Sequence, residues 1–288
     1  VLATGGTIAG WAADAANAQN YTAAQVSVAE LLSQATSNAY NLESEQVAQI
    51  DSKDMGYAVW QQLLSRLVHH LAREDVQGVV ITHGTDTLEE TAYFLQAVLA
   101  PTKPVAITCA MRAANAPDSD GPANLAQALA WVQTASASGL NVVAAGQVHA
   151  GATVQKLHSQ ALNPFASDSA RQVLMPVPTV AQVLACQAWP RVEVVMNHAD
   201  ADGRLVRAVM AQSDAPHGWV VAGTGNGTVH EALQAALLDA QAQGAKVCRA
   251  SRCAWGGVQT RDGDVFAHAG PLSVAQARVL ATGGMCMH

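Results

Sequence analysis

Residues 78–109 read GVVITHGTDTLEETAYFLQAVLAPTKPVAITC. Two apolar runs, 78–84 and 103–109, flank a segment, 87–100, whose apolar residues recur at helical spacing. Neither run alternates strictly, which is the pattern of strands covered on both faces of a sheet. Strand, helix and strand in this order predict two parallel neighbours joined by a right-handed crossover. Thr87, with Glu90 three residues on, predicts a capping box at the helix start.

The same pattern continues outward. A helix is expected over 121–139 and a strand over 139–146. A second series places strands at 190–198, 218–225 and 245–252, with a helix over 228–244. The stretch 163–190 carries Pro164, Pro176, Pro178 and Pro190 and reads as an irregular linker. The expected fold class is therefore α/β, in two α/β domains. Residues 1–165 form the larger, doubly wound, mostly parallel sheet, 166–189 the linker, and 190–288 a smaller parallel α/β domain. The hexapeptide VLATGG occurs at 1–6 and again at 279–284. The second copy ends an amphipathic pattern, where its glycines read as a helix stop. Nothing recurs at a fixed period, so a repeat architecture is not expected.

Half of the 288 residues are apolar and 13% are charged, a globular composition. The net charge of -7 leaves no basic cluster to neutralise phosphates, so neither nucleic acid nor an anionic membrane is expected as partner. No apolar stretch reaches the ~18 residues of a membrane span. Five cysteines, Cys109, Cys186, Cys248, Cys253 and Cys286, lack metal-site spacing and are expected to be mostly buried free thiols. That leans towards the cytoplasm, with a periplasmic address as the alternative.

In an open parallel sheet, ligands bind beyond the carboxyl ends of the strands. That rule selects Thr4–Thr7, Ser52–Asp54 and His83–Thr87, three polar, hydroxyl-bearing strand ends. In LATGGTIAG (2–10) the glycines permit close backbone approach and could supply oxyanion donors. The G-x-G-x-x-G spacing of a dinucleotide turn is absent. A threonine hydroxyl becomes a nucleophile only when a neighbour accepts its proton or lowers its pKa. Tyr21 and Lys156 are the candidates, although spacing alone does not separate them from a loop tyrosine and a solvated lysine.

LATGGTIAG, ITHGTDTLEETAYFL, AMRAANAPDSDGPANL and AGTGNGTVHEAL, in this order, resemble the bacterial L-asparaginase and glutaminase-asparaginase family. QIDSKDM (49–55) and SRCAWGGV (251–258) extend the resemblance over nearly the whole chain. It implies hydrolysis of L-asparagine to L-aspartate and ammonia, with no metal or organic cofactor. It implies Thr7 as nucleophile with Tyr21 as its activating partner, and Thr85, Asp86 and Lys156 as a second cluster. Ser52, Lys53, Gly84 and Asp86 would contact the substrate, and Asn226 would reach a neighbouring subunit's site. Family members are homotetramers built as dimers of intimate dimers. His83 is expected to be structural. The competing functions are a dual glutaminase-asparaginase and, from another class, a catalytically weak amino-acid-binding protein.

Three features depart from the family pattern. Lys53 stands where the family commonly has Gln or Glu, which accept a bond from the substrate's ammonium. Pointing inward, it would repel that ammonium by roughly 1–4 kcal/mol; otherwise it pairs with Asp51, Asp54 or an acidic group across the subunit contact. The segment after the SRC strand has no glutamate, only Asp262 and Asp264. The connection 163–190 is short, and the cysteine pair of some periplasmic members has no counterpart. Weakened recognition of the substrate's α-amino group is the expectation.

Overall fold

In the computed structural model the described residues are 1–14, 20–35, 41–134, 138–168 and 177–285. They form two compact units, Val1–Ser169 and Ala170–His288.

The first unit opens with β1 (Leu2–Gly5), followed by a hairpin of β2 (Trp11–Ala12) and β3 (Tyr21–Thr22) and by helix α1 (Val28–Ala35). Then come β4 (Glu45–Ile50), α2 (Tyr57–Leu71), β5 (Val79–Thr82), α3 (Leu88–Leu99), β6 (Pro104–Thr108), α4 (Gly121–Thr134) and β7 (Gly139–Ala144). Short strands β8 (Gln147–Ala150), β9 (Gln155–Lys156) and β10 (Phe165–Ala166) complete the unit. The main sheet has the order β4-β1-β5-β6-β7-β8, parallel except for the antiparallel β7–β8 pair. β1 lies between β4 and β5, so the chain leaves it towards opposite edges. That reversal opens a crevice at the strand carboxyl ends.

Both faces are covered, as the unbroken apolar runs require. Val80, Ala106 and Val143 pack with Leu125 and Leu129 of α4 and Leu31 of α1. Ile81, Ile107 and Val142 occupy alternate positions and are fully buried as well. α2 and α3 pack against each other through stacked rings of Trp60 and Phe94, 4.8 Å apart. Leu63, Leu64 and Leu67 of α2 are completely buried.

The second unit contains α5 (Val180–Ala185), β11 (Val192–Met196), α6 (Arg204–Met210), β12 (Gly218–Gly223), α7 (Glu231–Ala242), β13 (Lys246–Ser251), β14 (Ala267–His268) and α8 (Val274–Met285). Its sheet runs β11-β12-β13-β14, all parallel. Trp219, Val221 and Val247 form one core with Val206 of α6 and Leu233 and Leu237 of α7. Val220 points the other way and is equally buried, with α8 packed along β11 to β13.

The α/β class and the strand–helix order match expectation, while four local expectations do not. Thr87 is the N-cap of α3 but makes no side-chain cap. Its hydroxyl donates to the Ser52 carbonyl at 2.7 Å, binding the α3 start to the loop after β4 instead. The segment 163–190 is not wholly irregular, since it holds β10 and α5. There a capping box does form, between Thr179 and Gln182. The second VLATGG does not stop a helix: α8 runs through Gly283 and Gly284 to Met285. A β-carbon on Gly283 would meet Pro178 Cδ at 3.2 Å, so a residue that costs a helix ~1 kcal/mol stands here against a close neighbour. The helix expected over 121–139 ends at Thr134, residues 135–137 lie outside the described set, and residue 139 already begins β7.

Of the cysteines, Cys109 is buried, Cys186 and Cys248 are partly buried and Cys253 is exposed. The expected mostly buried set is thus reduced to one fully buried thiol among these four, and Cys286 lies outside the described residues. All four are free. Burial pushes the Cys248 thiol up to about 11. Among the described residues no helix is long and apolar enough to cross a membrane.

Leu64→Ala should cost about 2–5 kcal/mol of unfolding free energy, because the α2 seam cannot close around the lost methyls. Leu205, which is 61% exposed on α6, should tolerate the same change within ~0.5 kcal/mol. Urea unfolding of the two variants tests the contrast.

Candidate active site

Two strand ends carry the same T-x-G-T pattern: Thr4-Gly5-Gly6-Thr7 after β1 and Thr82-His83-Gly84-Thr85 after β5. The Thr4 hydroxyl donates to the Thr82 carbonyl at 3.0 Å, tying the two ends together. Beyond it the backbones nearly touch. A β-carbon on Gly6 would lie 2.3 Å from Gly84 Cα, and Gly6 has φ +81°. A β-carbon on Gly84 would lie 2.4 Å from Ser52 Oγ. These two glycines are what lets three strand ends meet.

Thr7 begins a short 3-10 turn over Thr7–Ala9 and is only 8% exposed. Its Oγ1 lies 2.7 Å from the Tyr21 hydroxyl. Tyr21 is presented by the β2–β3 hairpin, in which Ala12 pairs with Tyr21. A β-carbon on Gly10 would come within 2.7 Å of the Tyr21 ring, so the bare Gly10 backbone forms the ring's seat. The Gly6 N–H, expected as a possible oxyanion donor, is instead committed to the Ile50 carbonyl at 2.8 Å.

Thr85 is buried, and the Lys156 ammonium donates to its hydroxyl at 2.8 Å. The same ammonium donates to Asp86 Oδ1 at 2.7 Å. Asp86 keeps 54% of its side chain exposed, whereas Lys156 keeps 17%. The Lys156 backbone N–H donates to Glu89 Oε2 at 2.7 Å, anchoring β9 to the first turn of α3. Ser52 is buried and its Oγ accepts from the Asp86 backbone N–H at 3.2 Å.

Thr7 and Tyr21 therefore form one hydroxyl pair, while Ser52, Gly84, Thr85, Asp86 and Lys156 form an adjoining cluster. Lys53 stands apart. It follows Ser52 in the same turn, but its ammonium bonds Asp54 at 2.5 Å and sits 3.8 Å from Asp51, with 61% of the side chain exposed. The bond to Asp54 raises its pKa. Of the two orientations open to Lys53, the structure shows pairing with its own neighbours. Asn226 belongs to the second unit, where its amide donates to the Gln259 carbonyl and accepts from the Gln259 N–H, both at 2.8 Å. Asp264 is paired with Arg249 at 2.8 Å. The backbone N–H of Arg261, and then Arg249, hold its carboxyl below the usual range.

His83 is completely buried and structural, as expected, but in a definite way. The Trp60 indole N–H donates to Thr91 Oγ1 at 2.9 Å. The Thr91 hydroxyl lies 3.0 Å from His83 Nε2 and donates to it, because that nitrogen is the unprotonated one of the neutral ring. The Gly84 carbonyl can only accept, so Nδ1 carries the imidazole proton and donates to it at 2.7 Å. Desolvation pushes His83 down to about 4, only partly opposed by that last bond. Sequence reasoning missed Trp60, Thr91 and Glu89, since spacing does not show which helix covers a strand end.

With this geometry in place, the matches to known proteins can be set beside it. The family model "Asparaginase, N-terminal" matches residues 1–185, and "Glutaminase/Asparaginase C-terminal domain" matches residues 191–285. The chain belongs to the asparaginase family. It is 33% identical to a glutaminase-asparaginase of Pseudomonas fluorescens biotype A, over 98% of this chain and 84% of that protein. It is 35% identical to L-asparaginase 2 of Escherichia coli strain K12, over 97% of this chain and 86% of that protein. The crystal structure of a probable cytoplasmic L-asparaginase from Campylobacter jejuni superposes with a TM-score of 0.89 at 30% identity, covering all of this chain and 94% of the other. The two-domain α/β fold is thus that of the asparaginases.

The His83 state generates a prediction. Its folded pKa lies below its ordinary value of 6.5, so it binds fewer protons folded than unfolded. Its stabilising contribution is complete above 6.5 and is lost as pH falls towards 4. Between pH 7 and pH 5 wild-type protein should lose about 2 kcal/mol more unfolding free energy than His83→Gln. Urea titrations of both proteins at the two pH values check this.

Proposed function

We propose that this protein hydrolyses the side-chain amide of L-asparagine to L-aspartate and ammonia, through an ester on Thr7. The observation that carries the reading is the pair of buried threonine hydroxyls at touching strand ends. Each is held by a proton-handling partner, Tyr21 or Lys156.

The Thr7 oxygen attacks the amide carbonyl while its hydroxyl proton passes along the bond to Tyr21. Tyr21 passes its own proton on to the amide nitrogen, which breaks the C–N bond; ammonia leaves, and an acyl ester remains on Thr7. Water then adds to that ester from the Thr85 side. Thr85 takes the water's proton as it hands its own on towards the Thr7 oxygen, a relay that Lys156 eases by lowering the Thr85 hydroxyl pKa through its positive charge. Collapse releases L-aspartate and returns the proton to Thr7. Ser52, Gly84 and the exposed carboxylate of Asp86 hold the amino-acid end, with Asp86 taking the ammonium. In this reading Lys53 lines the rim, held by Asp51 and Asp54. The assembly is a homotetramer, a dimer of intimate dimers. Asn226, by holding Gln259, shapes the turn that faces a neighbouring subunit's site.

The likeness to a glutaminase-asparaginase favours a second substrate, L-glutamine. One added methylene alters binding by only ~1–3 kcal/mol, so both amides can be turned over.

Thr7→Ala should lower ammonia release by at least about a thousandfold. Thr85→Val, given L-asparagine and quenched, should carry an acyl adduct on the peptide containing Thr7. An adduct on any other peptide would sink the assignment of the nucleophile. Compared as kcat/KM, L-asparagine should exceed succinamate, which lacks the α-amino group, by roughly 10- to 100-fold through Asp86. Equal rates would mean that the ammonium is not recognised there.

A further inference from the structure

The loop 109–120 contains a side chain that no part of the proposed chemistry uses. Asn115 is partly buried, and its carboxamide is spent on one residue. Its Oδ1 accepts from the Ala12 N–H at 2.9 Å and its Nδ2 donates to the Ala12 carbonyl at 2.7 Å. In an antiparallel ladder the N–H and C=O of one residue point to the same side. Those of Ala12 point away from β3 and towards Asn115. The carboxamide thus acts as one peptide unit of a third strand beside the β2–β3 hairpin. A second bond continues the edge: the Ala114 N–H donates to the Gly10 carbonyl at 2.9 Å.

Both bonded residues touch Tyr21. Ala12 is its partner across the hairpin, and the Gly10 backbone seats its ring. The other side of the loop is fixed to the core. The Asp120 carboxylate accepts from the backbone N–H groups of Met111 and Arg112 at 3.0–3.1 Å. Asn124 of α4 bonds Asp120 at 3.2 Å and the Cys109 carbonyl at 2.9 Å. Its Oδ1 accepts from the Ala145 N–H at 2.9 Å. A path of hydrogen bonds and intervening main chain therefore runs from α4 through Asp120 and the loop to Asn115 and Ala12, the residue that faces Tyr21 across the hairpin.

We infer that Asn115 is a positioning residue that sets the Tyr21 hydroxyl on Thr7, an inference that rests on the roles proposed above for Thr7 and Tyr21. A two-residue hairpin strand has too few ladder bonds of its own to hold a ring to within a few tenths of an ångström. Two bonds from a loop anchored in the core remove that freedom. A primary amide presents a donor and an acceptor side by side in one plane, whatever the pH. Aspartate matches its shape but turns an acceptor towards the Ala12 carbonyl.

The test uses Asn115→Asp in the full chain, with Asn115→Ser as a second variant and thermal unfolding as the control for folding. Tyrosine ring carbons are labelled, and the Tyr21 Cζ signal is assigned by its loss in Tyr21→Phe. The signal should move in Asn115→Asp in the same direction as in Thr7→Val, because both break the Thr7–Tyr21 bond. kcat should fall about tenfold with KM changed less than about twofold, and in a Tyr21→Phe background the Asn115 change should cost nothing further. An unmoved Tyr21 signal, or an equal additional loss in the Tyr21→Phe background, overturns the inference. A moved signal with unchanged kcat supports the positioning and overturns instead the catalytic role given to Tyr21.

Discussion

The contact between Gly6 and Gly84 governs this molecule's site. No side chain fits between them, since a β-carbon on either would overlap the other's backbone or the Ser52 hydroxyl. Because both are bare, the ends of β1 and β5 close to backbone contact and draw the turn after β4 in with them. Each glycine is followed at once by a threonine. A threonine therefore follows the contact on each of the two strand ends, Thr7 on one and Thr85 on the other. The placement of the two threonines is set here by main-chain packing.

Much of this was legible in the residues. The rule that ligands bind at strand carboxyl ends selected Thr4–Thr7, Ser52–Asp54 and His83–Thr87, and these do converge. The unbroken apolar runs forecast a sheet covered on both faces. Capping and helix stops were less legible, because local signals compete with partners far away in sequence. Thr87 has the residue pattern of a cap, yet its hydroxyl goes to Ser52, 35 positions earlier. The paired glycines at 283–284 read as a stop, but the close approach of Pro178 makes small residues useful inside α8. Lys53 illustrates a different limit. Its orientation is set by Asp51 and Asp54, two and one residues away, and sequence could name those partners but not choose between them and the site.

Support from outside the active-site motifs was the least visible part. Asn115 lies within a stretch that carried the family resemblance, yet nothing in its spacing marks it as the residue that pairs with Ala12, 103 positions earlier. Glu89 and Thr91 belong to a helix whose apolar period drew attention to its buried face. Their polar roles follow from the loops that the sheet brings over the start of α3. Such groups become readable only when strand order is known, because strand order decides which loops are neighbours.

The two T-x-G-T ends differ at their second residue, and that difference separates their mechanical character. At Gly5 the φ of +105° and an Ile50 carbonyl 2.4 Å from any β-carbon leave room for hydrogen alone. The β1 end is consequently held through main-chain bonds to β4, and its threonine relies for a partner on a short hairpin. At His83 an imidazole fills the equivalent place and reaches inward. Through Thr91 and Trp60 it ties the Gly84 carbonyl to α3 and α2. Thr85 thus stands on a frame braced by two helices and the partly buried Lys156, while Thr7 and Tyr21 stand on a turn and a hairpin. On the proposed chemistry, in which a substrate enters and then a water, such a site has use for both: a braced half that holds charge, and a lighter half whose placement, on the inference drawn for Asn115, is corrected from the side by its loop.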